Sequence, residues 1–234
     1  MRSVFCVISA IGNDYGIFLY QDRLEQLKGT IRSVRERVSD ADIVLVDASE
    51  DPLPRQDVIE LSSMVNAVML LNDDLYIDFL KHNSKDPSPN KFEKKSVGEM
   101  RAMSAFLRYL QESPKVYDRV FKISGRYRLS DSFSLDSYAD KAGKCVFLDK
   151  EDWYGEHVFT LRLWSFDYSD LNRMGELFER MQRHTYTLVA QTHLFEIVEF
   201  TFTKFIETMQ IPYVTTDRIG VCGLMGLGGE PIDQ

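Results

Sequence analysis

The sequence predicts an α/β fold: a mostly parallel central sheet flanked by helices, with a smaller antiparallel and helical part toward the C-terminus. Two observations carry this prediction. Four short apolar runs lie within the first 124 residues, and a helical pattern separates each run from the next. Later apolar runs are joined by loops too short for a parallel crossover, which favours antiparallel pairing. A chain of 234 residues is consistent with one domain.

The first βαβ unit is the clearest part of the pattern. Residues 3–10 are continuously apolar, as expected for a strand that is covered on both faces. Apolar residues in the following helix, 21–38, alternate at spacings of three and four and so form one stripe. A second buried strand, 43–47, ends on Asp47. A strand, helix and strand in this order predict a right-handed parallel crossover.

The alternation then continues up to a strand that ends on glycine. We expect a helix over residues 55–63, a strand over 67–71 and a lysine-rich loop or flap over 81–95. A helix over 98–112 and a strand over 120–124 follow. The last strand stops at Ser124-Gly125, and Arg126, Tyr127 and Arg128 follow at once. Ligands of open α/β sheets bind at the carboxyl edge, so these arginines are expected at a binding edge. The alternative is a charged surface turn.

In the second half we expect strands over residues 145–149 and 157–166, the second antiparallel. Helices over 170–184 and 192–209 and a short strand over 213–216 follow. The tail, residues 220–229, holds five glycines in ten positions, which predicts a flexible lid or a disordered end.

Composition excludes several functional classes. The chain is 44% hydrophobic and 27% charged, as is usual for a globular protein. Its net charge of −8 argues against general nucleic-acid binding, which needs clustered positive charge. The three cysteines show neither metal-site nor disulfide spacing. With no leader and no membrane-length apolar run recognisable, we expect a cytoplasmic location.

Common nucleotide-binding motifs are missing. The first strand leads into Ser9-Ala10-Ile11-Gly12 instead of a Gly-x-Gly-x-x-Gly turn, and no Walker lysine loop occurs. The usual dehydrogenase and NTPase interpretations are therefore excluded. A nucleotidyltransferase, which shares the architecture, would need a glycine- and lysine-rich loop after this strand.

Three stretches together resemble nucleotide-sugar glycosyltransferases of the GT-A fold, in particular poorly characterised bacterial and viral members. They are Val-Asp-Ala-Ser at 46–49, Lys-Ser-Val-Gly-Glu at 95–99 and Ser-Gly-Arg-Tyr at 124–127. The likeness spans about residues 3–229, loosely. It implies a Rossmann-like single domain over 1–234, with a nucleotide-sugar-binding half, 1–130, and an acceptor-side half with the glycine-rich tail, 131–234. The implied reaction moves a sugar from a nucleotide-activated donor to a glycan, lipid-linked or protein acceptor.

The resemblance also implies donor-binding residues. Ser9 and its loop would lie under the nucleotide, with Arg23 near the base or phosphates. Asp47 would accept hydrogen bonds from the base or ribose, and Ser49 would lie beside it. The stretch Lys95, Ser96, Gly98 and Glu99 matches a helix N-terminus that meets the donor's sugar and phosphates. The alternative for this stretch is a capping box formed by Ser96 and Glu99.

One departure from the family's pattern concerns the metal site. Such enzymes carry Asp-x-Asp where this chain has Ser124-Gly125-Arg126. We expect Arg126, helped by Lys122 or Arg128 and with Tyr127 alongside, to bind the diphosphate without metal, because a guanidinium matches phosphate geometry. A divalent cation, Mn²⁺ or Mg²⁺, held by Asp73-Asp74 or by acidic residues of 149–152, is the alternative. The literal Asp-x-Asp at 40–42 precedes a strand and so lies at the opposite edge.

Transfer with inversion also needs a base that reaches the acceptor hydroxyl. We expect His193 and Glu196 to share one helical face, although a polar patch on an apolar helix is the simpler interpretation. Trp153, Tyr154 and Trp164 flank the region, and Arg162 can reach the same cleft from its strand. The base candidates are Asp149, Glu151, Asp152, His193 and Glu196.

The main rival function is a non-catalytic module. A former transferase that binds a nucleotide sugar or a glycan would show the same architecture, and the missing Asp-x-Asp keeps this alternative open. Convergence of Asp47, Ser96, Arg126 and a carboxylate from residues 149–196 on one cleft would favour the enzyme.

Overall fold

A computed structural model describes residues 1–12, 17–71, 91–193, 195–224 and 230–234, without the side chains of 91–95. The helices are α1 (Tyr20–Arg37), α2 (Arg55–Met64), α3 (Lys91–Glu112), α4 (Leu171–Thr192) and α5 (Val198–Thr208). The strands are β1 (Ser3–Ser9), β2 (Asp42–Asp47), β3 (Ala67–Leu70), β4 (Arg119–Ser124), β5 (Tyr127–Leu129), β6 (Cys145–Leu148), β7 (Glu151–Trp153), β8 (Glu156–Val158), β9 (Leu163–Asp167), β10 (Tyr213–Thr216), β11 (Val221–Leu224) and β12 (Pro231–Asp233).

Seven strands form the central sheet in the order β10-β6-β9-β4-β1-β2-β3. All pairs are parallel except those of β9, which runs antiparallel to both β4 and β6. A second sheet has the order β12-β11-β5, and β7 and β8 form a separate hairpin. This is the α/β architecture predicted from the sequence, with the antiparallel elements in the second half.

Alternating side chains of the central strands enter two cores, as the pleat of a strand requires. Val4 and Cys6 of β1 pack with α3, α4 and α5 on one face. Phe5 and Val7 pack with α1 and the small sheet on the other face. A sheet that is buried on both faces leaves its strand ends as the accessible surface for a ligand. Within the described residues, no helix is long and apolar enough to cross a membrane.

Several predicted boundaries were wrong. The helix predicted over 98–112 begins at Lys91, so residues 91–95 of the predicted loop over 81–95 are helical. Residues 72–90 lie outside the described part of the chain. The strand predicted over 157–166 is two strands, β8 and β9. The helix predicted over 170–184 continues to Thr192, and the next helix begins only at Val198.

The glycine-rich tail contains ordered structure. Val221–Leu224 forms β11 between β5 and β12, so this part is neither a lid nor a disordered end. Gly220 has φ 76°, and a Cβ on this residue would come within 2.5 Å of the Phe133 backbone. The chain therefore needs glycine at the entry to β11. Residues 225–229 lie outside the described part of the chain.

Candidate functional site at the carboxyl edge of the sheet

Three parallel strands bring the predicted donor-binding residues to one edge. Ser9 pairs in register with Asp47, and Ile8 pairs with Ser124. The last residues of β1, β2 and β4 therefore lie side by side. The resemblance placed Ser9, Asp47 and Ser124 in one site, and the sheet brings these three residues together.

The Asp47 carboxylate is buried and holds the loop after β1. One oxygen accepts hydrogen bonds from the Ser9 hydroxyl at 2.5 Å and from the Ile11 backbone N–H at 3.4 Å. The other accepts the Ser49 backbone N–H at 3.0 Å. In turn, the Ser49 hydroxyl accepts the Gly12 N–H at 2.7 Å. Asp47 and Ser49 thus shape the backbone of residues 9–12.

Arg23 fixes the same loop from the helix side. Its guanidinium donates to the backbone carbonyl of Ala10 at 3.0 Å and to that of Phe18 at 3.1 Å. These bonds tie the end of β1 to the entrance of α1. The geometry gives Arg23 a role in positioning the loop, and its predicted contact with base or phosphate stays a prediction.

Gly125 is required where β4 leaves the sheet. Its N–H donates to the Ile8 carbonyl at 2.7 Å. A Cβ at this position would lie 2.9 Å from the Leu27 methyl, 3.1 Å from the Ile8 oxygen and 3.2 Å from the Ser9 Cβ. Only glycine allows β4 and β1 to approach so closely, and Gly125 therefore lies beside Ser9, with Arg126 next in the chain.

Lys122 lies inside the protein behind this edge. Its side chain is fully buried, and its ammonium forms an ion pair with Glu99 of α3. The ammonium also donates to the Leu161 carbonyl and, at 2.9 Å, to the Ser124 hydroxyl. A buried ammonium with these protein partners is suited to hold β4, α3 and the Leu161 segment together. Lys122 and Glu99 thus support the edge from below.

Arg126 follows Gly125 at this edge of the sheet. It is partly buried, and its Nε atom is buried without a hydrogen-bond partner in the described residues. Its guanidinium carbon lies 5.2 Å from the ring centre of Tyr127. The guanidinium of Arg128, in contrast, lies against Gly29 in the middle of α1. Of Lys122, Arg126 and Arg128, Arg126 is the one that follows Gly125 at the edge and has a buried donor without a hydrogen-bond partner in the described residues.

The predicted helix N-terminus at residues 95–99 and the alternative capping box of Ser96 and Glu99 were both wrong, because α3 begins at Lys91 and these residues lie inside the helix. The buried Ser96 hydroxyl accepts the Val198 backbone N–H at 3.2 Å and so links α3 to the start of α5. A Cβ on Gly98 would lie 3.4 Å from the Ala48 Cβ, so α3 packs beside the end of β2. The Lys95 side chain lies outside the described part.

Glu151 is held in a polar cluster at the same edge. Its carboxylate accepts from Arg162 at 2.6 Å, from the Trp153 indole at 3.1 Å and from Gln234 at 3.3 Å. Burial raises the pKa of the Glu151 carboxyl. The hydrogen bonds from Arg162 and Trp153 lower this pKa by more than burial raises it, so the pKa lies below its usual value. A carboxylate with a lowered pKa is a weak base, which argues against Glu151 as the proton acceptor.

Asp149 and Asp152 are exposed at this end of the sheet. Asp149 follows β6 directly, and its backbone N–H donates to Thr216 at 2.9 Å. The Asp152 carboxylate accepts the Gly155 N–H at 3.0 Å within the hairpin. Asp149 is therefore the base candidate that combines an exposed carboxylate with a place at the strand ends.

The prediction that His193 and Glu196 share a helical face was wrong. His193 ends α4 in the left-handed conformation, with φ 57°, and Glu196 lies in the connection before α5. The Glu196 carboxylate accepts from the Thr201 hydroxyl at 2.7 Å and lies 3.5 Å from His184 Nε2. The sequence predicted that this helix ends at His184, and no feature of the sequence linked His184 to Glu196. Trp164, 2% exposed, belongs to the core.

Within the described ranges, no group of three or more His, Cys, Asp or Glu side chains is arranged to hold a metal ion. Asp73 and Asp74, the alternative metal ligands, lie outside those ranges.

Gln234 is a member of the edge cluster that the sequence did not reveal, because its contact with Arg162 at 2.7 Å joins residues 72 positions apart.

No protein-family model and no curated protein matches this sequence. Among solved structures, the chain is similar to core-mannan synthase A from Aspergillus fumigatus in its Mn/GDP form. The TM-score is 0.53 at 7% sequence identity, over 88% of this chain and 69% of that chain. A likeness at this identity shows the fold alone. It supports a GT-A-like glycosyltransferase fold, as the sequence predicted, without indicating a specific member.

Replacement of Lys122 tests the buried ion pair. Lys122→Met removes the ammonium that pairs with the buried Glu99 carboxylate, and we expect it to lower the free energy of unfolding by about 3–5 kcal/mol. Urea denaturation measures this loss. The double variant Lys122→Met/Glu99→Leu removes the Glu99 charge as well and should regain most of the stability. A single variant within about 1 kcal/mol of the wild type contradicts the role given to the pair.

Replacement of Asp47 tests its role in shaping the loop. Asp47→Asn places an amide N–H₂ among groups that are themselves donors, so it should destabilise the protein by about 1–3 kcal/mol. Hydrogen exchange of residues 9–12 should accelerate more than exchange of β6. Asp149→Asn is the matched control at an exposed carboxylate and should change neither quantity. Unchanged exchange in Asp47→Asn contradicts the assignment.

Proposed function

We propose that this protein is a glycosyltransferase that moves a sugar from a nucleotide-activated donor to a carbohydrate-containing acceptor. The donor lies across the carboxyl ends of β1, β2 and β4, over the loop that Asp47 and Ser49 hold. The fold shared with a mannan synthase crystallised in a Mn/GDP form supports this choice. Glycan, lipid-linked and protein acceptors all remain consistent with it.

The observation that carries the proposal is the position of Arg126. Arg126 directly follows Gly125, which lies beside Ser9 at the ends of β4 and β1, and its buried Nε has no hydrogen-bond partner in the described residues. We place the phosphates of the donor within reach of this guanidinium. Charge-assisted hydrogen bonds contribute about 1.5–3 kcal/mol each. As the bond between the sugar and the diphosphate breaks, Arg126 stabilises the negative charge that develops on the leaving phosphate.

Asp149 serves as the base in a reaction with inversion. The acceptor hydroxyl gives its proton to the Asp149 carboxylate while its oxygen forms the new glycosidic bond. The electron pair of the broken bond leaves with the nucleoside diphosphate. The exposed position of Asp149 at the end of β6 and the ion-paired state of Glu151 support this division of roles.

The alternative is a non-catalytic module that binds a nucleotide sugar or a glycan. The lack of an Asp-x-Asp sequence after β4 favours it, since the family uses that motif to hold a metal ion. A divalent cation on Asp73, Asp74 or Asp149 would also serve catalysis, and the neighbour's Mn/GDP form supports such a cation.

Ligand-induced thermal shifts test donor binding and its metal dependence. Wild-type protein is melted with UDP, GDP, CMP, dTDP, ADP and their sugars, each in EDTA and in Mn²⁺. At a hundredfold excess over its dissociation constant a ligand adds about 2.7 kcal/mol, which raises Tm by roughly 5–10 °C. We expect one nucleotide to give this shift in EDTA. A shift that needs Mn²⁺ contradicts the arginine site, and no shift contradicts the donor site.

Arg126 and Arg128 form a matched pair for mutagenesis. Arg126→Ala should weaken binding of the nucleoside diphosphate identified in that panel by about 10–100-fold, because one charge-assisted contact is lost. Binding of the corresponding nucleoside, which has no phosphate, should not change. Arg128→Ala removes an equal charge two residues away and should leave both affinities unaltered, as measured by calorimetric titration. Equal effects of the two substitutions would show that general charge, not the Arg126 contact, is responsible.

A further inference from the structure

A two-stranded hairpin beside the candidate site carries an almost fully exposed aromatic side chain at its tip. Strands β7 and β8 are joined by Tyr154 and Gly155, with φ values of 57° and 85°. The Tyr154 side chain is 92% exposed. A tight turn of this kind favours Asn-Gly or Gly-Gly, so tyrosine is a costly choice at its first position. Folding does not account for this tyrosine.

The hairpin is fastened to the end of the central sheet. Glu151, the first residue of β7, pairs with Arg162, and the Trp153 indole donates to the same carboxylate. The carbonyl of Arg162 accepts the Ser124 backbone N–H at 2.9 Å. One residue therefore joins the base of the hairpin to the strand end that leads into Arg126. The hairpin and the candidate donor site share a rigid frame.

The side chains on the hairpin define the chemistry of its ligand. Trp153 is half-buried and Tyr154 is exposed, and aromatic faces of this kind pack against the C–H face of a sugar ring. Asp152 and Glu156, both exposed, offer carboxylate oxygens that accept hydrogen bonds from hydroxyl groups. The exposed Asp149 adds a further negative charge nearby. Acidic groups beside aromatic rings favour a neutral, hydroxyl-rich ligand and repel phosphate- or carboxylate-bearing chains.

We propose that the β7–β8 hairpin is the acceptor-binding element and that it takes a neutral oligosaccharide, stacked on Tyr154 and Trp153. The term acceptor rests on the proposed glycosyl transfer. The binding of a neutral sugar chain rests on the hairpin alone. Tyr154 is a specificity-determining contact for the acceptor, held in its strained turn because the exposed ring is needed there.

Intrinsic fluorescence can test this proposal without an activity assay. The chain has two tryptophans, and Trp164 is 2% exposed in the core, so ligand-dependent changes report on Trp153. Wild-type protein is titrated with mannotriose, cellotriose, maltotriose and N-acetylchitotriose, and with trigalacturonate as the anionic comparison. We expect a saturable change with at least one neutral trisaccharide and a weaker response, or none, with trigalacturonate.

Two substitutions at Tyr154 separate stacking from folding. Tyr154→Gly removes the ring and relieves the turn, so it should weaken trisaccharide binding about five- to tenfold, as expected for loss of an aromatic contact, while raising Tm by about 2–4 °C. Tyr154→Phe keeps the ring face and should bind as the wild type does. Unaltered binding by Tyr154→Gly, tighter binding of trigalacturonate, or no response to any neutral trisaccharide overturns the proposal.

The nucleotide thermal shift on the same preparations distinguishes the two proposals. If nucleotide binds and the neutral sugars do not, the hairpin assignment fails and the donor site stands. If the neutral sugars bind through Tyr154 and no nucleotide does, glycosyl transfer fails. The hairpin is then the site of a glycan-binding module.

Discussion

The buried ammonium of Lys122 is the constraint on which the candidate site depends. A charge removed from water is tolerated only where several partners surround it. Here these partners come from three separate places: Glu99 in α3, the Ser124 hydroxyl in β4 and the Leu161 carbonyl before β9. The ammonium thereby fixes the end of β4 relative to α3 and to the segment that anchors the hairpin. The candidate binding residues lie on these elements.

The polar residues at the carboxyl edge divide into two sets with different physical roles. The carboxylates of Asp47 and Glu99 bind donors of the protein itself, and they hold the loops and strands in place. Asp149 and Tyr154 are exposed, and the buried Arg126 Nε has no hydrogen-bond partner in the described residues. Residues that hold the backbone in place are thus separate from the residues that we propose contact a ligand.

Local pattern was enough to predict the half of the fold that is built from local units. The first βαβ unit was correct to within about a residue, since continuous apolar strands and a striped helix have few other solutions. The helix containing Ser96 began seven residues earlier than predicted, at Lys91. Lysine favours helix nearly as well as leucine, so the lysine-rich stretch that predicted a loop also accommodates a helical turn.

Contacts between distant residues limited the rest of the prediction. Val221–Leu224 is a strand because β5 and β12 pair with it, and the glycines around it carry no sign of that pairing. For the same reason, the sequence placed His193 and Glu196 on one helix. A helix end at His193 is set by its left-handed backbone and not by the periodicity of the sequence. Lys122 was expected to reach a phosphate, but its partner Glu99 lies 23 residues away in the chain.

We propose that a nucleoside diphosphate lies between Ser9–Gly12 and Ser124–Arg126. Hydrogen-exchange mass spectrometry of the full chain in EDTA, with and without the nucleotide that raises its Tm, tests this most directly. We expect slower exchange in peptides covering residues 9–12, 47–49 and 124–127, with exchange in α4 unchanged. Protection confined to other segments, or protection at this edge that requires Mn²⁺, would contradict it.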